Sequence, residues 1–287
     1  MKAEDIVVCP ECKGELEITS EDLHCPSCDL NFEITDGVPI MASDEEDVFD
    51  ARWVRNQKPQ ATDQWWKALW GSEYPKGKLI LDGGCGIGRY AQRAIQEGAS
   101  VIGLDISPAA IAATKQNAPG AICIQGSLLG IPLPNNFVDA AYSIGVLHHT
   151  PDPEIAFREL VRVTKPGGLV AVWVYAYASG SPEFFPVADM LHEITRACPK
   201  DKLYEVFKKY APRIRDIYHD RWEPLMQVLR VSISKNDEEC TSDSFDWHGP
   251  RYRSRHSEEE VKDWFVSAGC EVLKVGAHQT NVLGRKL

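Results

Sequence analysis

The sequence has no apolar run long enough to cross a membrane, and its acidic beginning has neither the basic stretch nor the apolar stretch of a secretion signal. We therefore expect a cytoplasmic protein without a membrane partner. Its nine cysteines then do not indicate a disulfide framework, because disulfides are rare in proteins that are not secreted. With 287 residues, of which 44% are hydrophobic, the chain can hold one large α/β domain and a small appendage.

Basic residues are scarce at the start of the chain. Residues 1–50 contain 2 Lys and Arg against 15 Asp and Glu, whereas residues 51–287 contain 29 against 27. The net charge of −11 therefore belongs to the N-terminal segment. Because proteins bind a phosphate backbone mainly through Lys and Arg, such a segment disfavours a nucleic-acid partner.

Four cysteines form two Cys-x-x-Cys pairs, Cys9 with Cys12 and Cys25 with Cys28, separated by twelve residues. Two such pairs at this interval can bind one tetrahedral Zn²⁺. A redox dithiol and an iron–sulfur site are the alternatives, but a redox pair needs no second copy. We expect structural zinc in a module of residues 1–42, which is too small to keep a core without metal. Four thiolates leave no position for water or substrate, so the zinc is not expected to be catalytic.

A glycine-rich turn follows the apolar run that ends at Asp82 and precedes a helical pattern. Gly84, Gly86 and Gly88 would let a ligand lie against the backbone there. Their Gly-x-Gly-x-Gly spacing differs from the usual dinucleotide pattern, Gly-x-Gly-x-x-Gly. A carboxylate at Asp82 repels a pyrophosphate but can accept hydrogen bonds from an ammonium group. The turn therefore favours S-adenosylmethionine over NAD.

A second apolar run, 101–104, ends at Asp105. An acid at this point of a βαβ unit can accept hydrogen bonds from both ribose hydroxyls of an adenosine. Ser107 and Pro108 then predict the N-cap and first residue of a helix. The two acids thus predict opposite ends of one ligand site.

From about residue 75 to 178 the sequence resembles the class I S-adenosylmethionine-dependent methyltransferases of the methyltransferase 11 type. Besides the turn and Asp105, the family's blocks appear in order at 136–149, 157–163 and 164–170. The resemblance implies an α/β fold with a Rossmann-like seven-stranded sheet. It also implies S-adenosylmethionine as methyl donor and S-adenosylhomocysteine as product.

The resemblance further implies which residues bind the cofactor. They are Asp82, Gly84, Gly86, Gly88, Asp105, Ile106, Ser127, Leu128 and Ser143. The family usually has an acid after the third strand that binds the adenine amino group, and this chain has Ser127 there. The serine hydroxyl or the backbone of Leu128 could take that role.

The loops after the fourth and fifth strands of the domain carry His148, His149, Tyr175 and Tyr177. Ligands of open parallel sheets bind beyond the carboxyl ends of the strands, so these loops are expected to face the transferred methyl group. Since histidine titrates near neutral pH, His149 is the candidate general base for a hydroxyl or amine acceptor. The resemblance instead implies a structural or cofactor-pocket use of the histidine pair.

Residues 43–74 are expected to form an acidic linker followed by a helix. This stretch contains four of the eight tryptophans: Trp53, Trp65, Trp66 and Trp70. The helix could pack on the domain through these rings. Alternatively, it could be a lid over the cofactor, with Trp65 or Trp66 lining the substrate pocket.

The methyltransferase domain is assigned to residues 75–287, with a helical insertion at 179–250. Helical spacing covers 183–210 and 211–231, where Lys and Arg are concentrated. Such a face is usually only solvated, but a basic cap would suit an anionic substrate. An irregular segment is predicted at residues 245–256. A capping box is predicted at the start of the last helix, formed by Ser257 and Glu260.

Three functions remain open at this stage. The first is methyl transfer to a small molecule, with O-methylation of a sugar or another secondary metabolite as the main version. The second is methylation of a nucleobase in rRNA or tRNA, for which zinc ribbons fused to this fold are a precedent. The third is a non-catalytic scaffold that keeps the fold. The ribbon's resemblance to zinc ribbons that are fused to or partner methyltransferases implies a role in stability or docking.

Overall fold

The structure, a computed structural model, describes residues 1–19, 22–42, 63–177, 185–218, 229, 231–276 and 280–287, with only the backbone described for 63–65 and 185. Most of the expected linker, including Trp53, lies outside the described residues, as does the side chain of Trp65. The chain divides into two units. The first comprises Met1–Glu45, Pro59–Ala176 and Ser254–Leu287, and the second comprises Glu46–Lys58 and Tyr177–Arg253.

The N-terminal part of the first unit is a four-stranded antiparallel sheet in the order β1-β2-β3-β4. Its strands are β1 Glu17–Ile18, β2 Asp22–Cys25, β3 Leu30–Thr35 and β4 Val38–Pro39. Asp36 and Gly37 both have positive φ and turn the chain between β3 and β4. This small sheet is the zinc-ribbon module that the cysteine spacing predicts.

The seven remaining strands form one sheet in the order β10-β11-β9-β8-β5-β6-β7. The strands are β5 Leu79–Gly83, β6 Ser100–Asp105, β7 Ile122–Gln125, β8 Val138–Ile144, β9 Thr164–Trp173, β10 Cys270–Val275 and β11 Asn281–Lys286. Strands β5 to β9 run parallel, and the β10–β11 hairpin is antiparallel. The predicted seven-stranded Rossmann-like sheet is confirmed.

Eight helices are described. They are α1 Asp63–Trp70, α2 Arg89–Gln96, α3 Pro108–Asn117, α4 Pro153–Val163, α5 Phe185–Thr195, α6 Lys200–Tyr218, α7 Asp237–His248 and α8 Glu258–Ser267. Two predicted caps are present: Ala110 N donates to Ser107 Oγ at α3, and Glu260 N donates to Ser257 Oγ at α8.

Aromatic residues pack on one face of the large sheet. Trp66 and Trp70 of α1 are 2% and 1% exposed and contact the ring of Tyr142 on β8. Trp66 also donates a hydrogen bond from Nε1 to Glu97 Oε2. For these two tryptophans the structure shows the packed helix, since their rings belong to the core.

The opposite face of the sheet is covered by α4 and α8. Phe157 of α4 and Phe265 of α8 are fully buried, with ring centroids 4.6 Å apart. The apolar spacing of both helices directs these rings toward the strands.

The second unit contains α5, α6 and α7, which confirms helices there but corrects their limits. The first predicted helix, 183–210, is divided, because Pro199 has no N–H and its ring clashes with a preceding helical turn. Helix α6 continues through residue 210 to Tyr218, and Pro212 is accommodated inside it. Residues 219–228, including Arg221, lie outside the described part.

The prediction of an irregular segment at 245–256 is wrong for its first four residues. Phe245–His248 form the last turn of α7. The helix begins at Asn236, whose Oδ1 accepts hydrogen bonds from Glu238 N and Glu239 N. This N-cap lies nine residues before the predicted irregular segment. The helix that starts there continues into the segment.

Candidate cofactor and zinc sites

The four ribbon cysteines converge on one point. Their Sγ atoms all lie within 4.8 Å of one another. The two knuckles have the same turn: Lys13 N donates to Cys9 O and Asp29 N donates to Cys25 O, each at 2.9 Å. Lys13 and Asp29 have φ of 60° and 55°, so the chain reverses in the same way after each second cysteine. The structure thus brings together all four predicted metal ligands.

The cysteine cluster fits Zn²⁺ on chemical grounds. Cys9 and Cys25 are fully buried, and Gly14 N donates to Cys12 Sγ at 3.4 Å. A hydrogen bond with the Cys12 thiol, together with burial, raises the pKa of Cys28 to about 12. Thiols packed this closely compete for protons, and a dication that binds thiolates relieves that competition.

The ribbon covers the free edge of the large sheet. Met41 N donates to Gln125 O at 2.7 Å, Gln125 Nε2 donates to Ala42 O, and Ile40 forms a parallel bridge with Gln125. Strand β7 is the last strand of the sheet, and an uncovered edge would expose unpaired backbone groups. The ribbon satisfies those groups at the end of β7, next to the predicted adenine site.

A second contact joins the first zinc knuckle to α4. Lys13 Nζ lies 3.0 Å from Glu159 Oε2, and Arg162 Nε lies 2.6 Å from Glu159 Oε1. Burial raises the pKa of Glu159, but the hydrogen bonds from Arg162 and Lys13 outweigh it and lower the pKa below its usual value. The residue directly after a predicted zinc ligand is therefore held by the methyltransferase fold.

The glycine turn leaves space at its middle residue. A Cβ on Gly84 would lie 2.5 Å from the Val146 side chain, and one on Gly88 would lie 2.9 Å from Thr114 Cα. A Cβ on Gly86 would meet nothing within 4 Å. The outer glycines are thus required by protein packing, and Gly86 faces open space in which a ligand can approach the backbone.

Asp82 lies at the end of β5, beside this turn. It is 2% exposed, and its Oδ2 makes no hydrogen bond in the described part of the chain. Burial raises the pKa of Asp82 to about 7, although the neighbouring Tyr142 hydroxyl acts in the opposite direction. A buried carboxylate oxygen without a donor is costly, and an ammonium group would supply a donor to Oδ2.

Asp105 ends β6 and holds the turn in place. Its Oδ2 accepts a hydrogen bond from Gly86 N at 2.8 Å, and its Oδ1 accepts one from Ser107 N at 3.0 Å. Since a carboxylate has about four acceptor positions, it can still accept from ribose hydroxyls. Ile106 follows and is half-buried.

The remaining predicted cofactor residues lie at the ends of β7 and β8. Ser127 Oγ accepts a hydrogen bond from Leu129 N at 3.1 Å, and Leu128 is buried. The Ser143 hydroxyl is fully buried and makes no hydrogen bond within the described residues. The hydroxyl of Ser127 therefore caps a short turn, and its role toward adenine stays a prediction.

His148 and His149 occupy different environments. His148 is fully buried: Tyr175 N donates to its Nδ1 at 3.1 Å, and its carbonyl oxygen accepts from Ser254 N at 2.9 Å. Its ring stacks on Tyr175 with centroids 3.7 Å apart. His148 therefore connects the loops after β8 and β9 through its hydrogen bonds. His149 is half-buried, and its role as general base stays a prediction.

The sequence did not reveal two residues at this edge of the sheet. Thr114 of α3 donates from Oγ1 to Gly86 O at 2.9 Å, which anchors the glycine turn from outside. Asn281 starts β11 opposite Trp173, is 2% exposed, and makes no side-chain hydrogen bond in the described part of the chain. A polar residue directly before the apolar pair Val282-Leu283 was the available signal for Asn281.

Two family descriptions match this chain. Residues 81–172 match the methyltransferase domain family, and residues 5–37 match the Trm112p-like protein family. The chain carries a class I S-adenosylmethionine-dependent methyltransferase domain. The glycine turn, Asp82 and Asp105 all lie inside the first match, and the four cysteines lie inside the second, which fits structural zinc.

Two curated relatives each match about a third of this chain. An Arabidopsis thaliana tRNA (carboxymethyluridine(34)-5-O)-methyltransferase is 39% identical over 36% of this chain and 25% of its own. A Serratia marcescens malonyl-[acyl-carrier protein] O-methyltransferase is 33% identical over 35% of this chain and 39% of its own. The chain thus spans about a quarter to two fifths of the length of these relatives.

A solved structure resembles this chain over most of its length. It is a complex between the Haloferax volcanii Trm112 methyltransferase activator and a methyltransferase, with a TM-score of 0.50 and 20% identity over 80% of this chain and 77% of that one. At this identity the match shows a shared fold and nothing about function. Among the described residues, no helix combines the length and apolar character that crossing a membrane requires.

Proposed function

We propose that the whole protein transfers a methyl group from S-adenosylmethionine to a small-molecule acceptor, most directly to a hydroxyl of a sugar or another secondary metabolite. The observation that carries the proposal is Asp82, a buried carboxyl that lacks a hydrogen-bond donor at Oδ2 beside the open side of Gly86. In this position an amino-acid ammonium fits, whereas a pyrophosphate does not.

In this proposal the chain contributes to catalysis mainly by positioning the two substrates and less by supplying reactive groups. When bound, S-adenosylmethionine supplies an electrophilic methyl carbon and leaves as S-adenosylhomocysteine. Asp82 accepts hydrogen bonds from the ammonium end, and Asp105 accepts them from the ribose hydroxyls. Alignment of the acceptor oxygen with the methyl carbon and exclusion of water then lower the barrier. The acceptor's proton leaves to His149 or to water.

The ribbon supports a small-molecule acceptor over a nucleic acid. The ribbon, residues 1–42, carries 10 acidic against 2 basic residues, so it would repel a phosphate backbone. In addition, Ser143-Ile144-Gly145-Val146 stand at the end of β8, where exocyclic-amine nucleobase enzymes have an Asn/Asp-Pro-Pro-aromatic sequence.

The second candidate is methylation of tRNA or rRNA. It is favoured by the named activity of the Arabidopsis relative and by the Trm112p-like match of residues 5–37. In this alternative the ribbon would dock a partner or the RNA-bearing complex.

The cofactor assignment is tested by calorimetry with S-adenosylhomocysteine. We expect binding by the wild-type chain and a loss of about 10- to 100-fold for Asp82→Ala, the range for removing a hydrogen bond to a charged group. Asp263→Asn, an exposed acid on α8, is the matched control and should bind as wild type. Absence of wild-type binding would favour the scaffold, and unchanged affinity in Asp82→Ala combined with Asp105→Ala would overturn the site.

The acceptor class is tested by measuring S-adenosylhomocysteine formation with three sets of acceptors: nucleotide sugars, phenols and unmodified tRNA. Turnover with a member of the first two sets, insensitive to salt, is the expected result. Turnover with tRNA that falls steeply with salt would replace the proposal by the nucleobase function.

A further inference from the structure

Helix α6 of the second unit has one buried face and one exposed face. Leu203, Tyr204, Ala211 and Arg215 are buried. Arg215 is held by Asp237 at 2.8 Å, at the start of α7. These residues account for the packing of the helix inside its own unit, so the exposed face is not needed for the fold of α6.

The exposed face carries a stripe of basic and apolar residues that contains no acid. Counted from the first member, the positions i, i+4, i+7, i+8, i+11 and i+15 fall within about 100° of the helix circumference. These residues form the basic–apolar stripe: Lys202, Val206, Lys209, Tyr210, Arg213 and Ile217. Tyr210, Val206 and Ile217 are 44%, 51% and 62% exposed.

The three cations of the stripe, Lys202, Lys209 and Arg213, make no ion pair in the part of the chain that the structure describes. Lys209 Nζ lies over the Tyr210 ring, 5.0 Å from its centroid. The nearby acid Asp216 is engaged by Arg215 at 2.7 Å. The three like charges are spread over about 16 Å of helix and complement an anionic surface. The exposed Glu205 lies between Lys202 and Lys209 in sequence but is outside the stripe.

The apolar members of the stripe distinguish between anionic surfaces. Exposed aliphatic side chains gain free energy when they enter the acyl boundary of a bilayer, whereas a phosphate backbone offers them no apolar contact. Helix α5 of the same unit exposes a second aliphatic row, Val187, Met190 and Ile194, at i, i+3 and i+7. Both features favour lipid over nucleic acid.

We infer that the helical unit binds the surface of an anionic lipid bilayer through the basic–apolar stripe of α6. Three cations would contact lipid phosphates, while Val206, Tyr210 and Ile217 enter the headgroup boundary. This goes beyond the proposed methyl transfer and does not depend on it. The expectation of no membrane partner came from the absence of a spanning run, and peripheral binding requires no such run.

The experiment is co-sedimentation of the full chain with vesicles of phosphatidylcholine alone or mixed with phosphatidylglycerol. Binding is expected only to the mixed vesicles and should weaken with salt. Lys209→Gln should lower the affinity about fivefold, the usual effect of one cation near such a surface. Lys208→Gln is the matched control, because Lys208 is exposed on the same helix but lies outside the stripe.

The apolar contribution is tested with the double variant Val206→Ser and Ile217→Ser, which should weaken vesicle binding although its charge is unchanged. Val266→Ser, 66% exposed on α8, is its control. An unchanged far-UV circular dichroism spectrum and melting temperature in each variant show that the fold is intact.

Several results would overturn the inference. These are equal binding to both vesicle types, no binding to either, or equal losses in stripe and control variants. Salt-sensitive tRNA binding that needs Lys209 but not Val206 or Ile217 would assign the stripe to nucleic acid. Self-association in sedimentation velocity that depends on the stripe would assign it to a second copy of the chain.

Discussion

At the scale of single residues, the cofactor site depends on a carboxyl group and on a missing side chain. Asp82 is buried with an unsatisfied Oδ2, and Gly86 faces open space. Neither feature is favourable without a ligand. Burial of Asp82 costs desolvation free energy, and a glycine at position 86 costs backbone entropy on folding. Together they are explained by one molecule that has an ammonium group and a flat nucleoside.

The pH dependence of binding should report on Asp82. Its pKa of about 7 in the ligand-free fold lies above the value of an unfolded chain, about 3.9. The folded protein thus holds a proton between these values, so this group makes the fold less stable as pH rises from about 4 to 7. An ammonium needs the ionised form, so S-adenosylhomocysteine should bind more tightly at about pH 7.5 than at pH 5.5, with proton release at the lower pH.

Calorimetry in buffers of different ionisation enthalpy measures that proton. Asp82→Asn should bind weakly at every pH and release none. A wild-type affinity that falls over this interval would contradict the assignment of the ammonium to Asp82.

Gly86→Ala separates ligand space from protein packing. With φ of 53° the new methyl group should cost about 1–2 kcal/mol of stability but meets no protein atom within 4 Å. We expect a folded protein whose affinity for S-adenosylhomocysteine falls at least tenfold, since the methyl occupies the cofactor's space. Gly77→Ala, with φ of 74° and equally open surroundings outside the turn, is the control and should bind normally.

Gly84→Ala should behave differently, because its methyl would collide with Val146. It should lower the melting temperature more than Gly86→Ala does. If Gly86→Ala binds as the Gly77 control does, the cofactor does not lie against this turn.

At the scale of elements, the ribbon and the methyltransferase fold share their contacts at β7 and α4. The ribbon extends the sheet at Gln125, and its first knuckle reaches Glu159 through Lys13. Each contact joins residues far apart in the chain. The position of the ribbon is therefore set by its contacts with the methyltransferase fold.

Two glutamates on α4 offer a matched comparison. The side chain of Glu159 is 13% exposed and pairs with Lys13 and Arg162, whereas that of Glu154 is 44% exposed and pairs with Arg158. Glu159→Gln should cost about 2–3 kcal/mol because it leaves two cations without their carboxylate in a half-buried site. Glu154→Gln should cost less than about 0.5 kcal/mol.

Denaturant unfolding at neutral pH measures both variants. Because the pKa of Glu159 is lowered, its contribution is present above about pH 4.3 and is lost as pH falls below that value. The difference in unfolding free energy between the two variants should therefore shrink in acid. Equal losses of stability at neutral pH would contradict the role of Glu159 in the ribbon contact.

Removal of zinc should unfold the ribbon and weaken its contacts with the methyltransferase fold. Metal analysis should find one zinc per chain, and Cys25→Ser should lower that content. Without metal, the amides of Val8 and Met41, which donate to Pro132 O and Gln125 O, should exchange with solvent faster. Amides at the centre of β5 serve as the internal control, and protection that survives complete zinc removal would show that the ribbon folds without metal.

At the scale of the whole molecule, the chain enters the second unit twice and returns to the first unit each time. All predicted cofactor residues belong to the first unit, whereas the basic–apolar stripe belongs to the second. The two proposals therefore concern separate parts of the chain and can fail separately.

Hydrogen exchange with and without S-adenosylhomocysteine maps this division. Ligand should protect amides at 82–88 and 105–107, including Gly86 N and Ser107 N, which Asp105 already binds. Helices α6 and α7 should change much less than these turns. Protection confined to the second unit would place the cofactor elsewhere.

Local patterns predicted much of the fold and site. The Cys-x-x-Cys pairs, the glycine turn and the acids at strand ends each depend on a few neighbouring residues, so their spacing carries the information. The α7 helix shows the limit, because the aromatic and basic composition of 245–256 predicted an irregular segment, whereas the helix capped by Asn236 includes its first four residues.

The sequence by itself determined the ribbon, the α/β class and the type of cofactor, since these follow from short-range chemistry along the chain. Only the tertiary structure decided that Lys13 meets Glu159, that Ile40 meets Gln125, and that Thr114 anchors Gly86. These contacts join residues that lie 28 or more positions apart, the closest pair being Gly86 and Thr114. Which distant surfaces bury each other depends on the packing of the whole chain, and no local spacing records it.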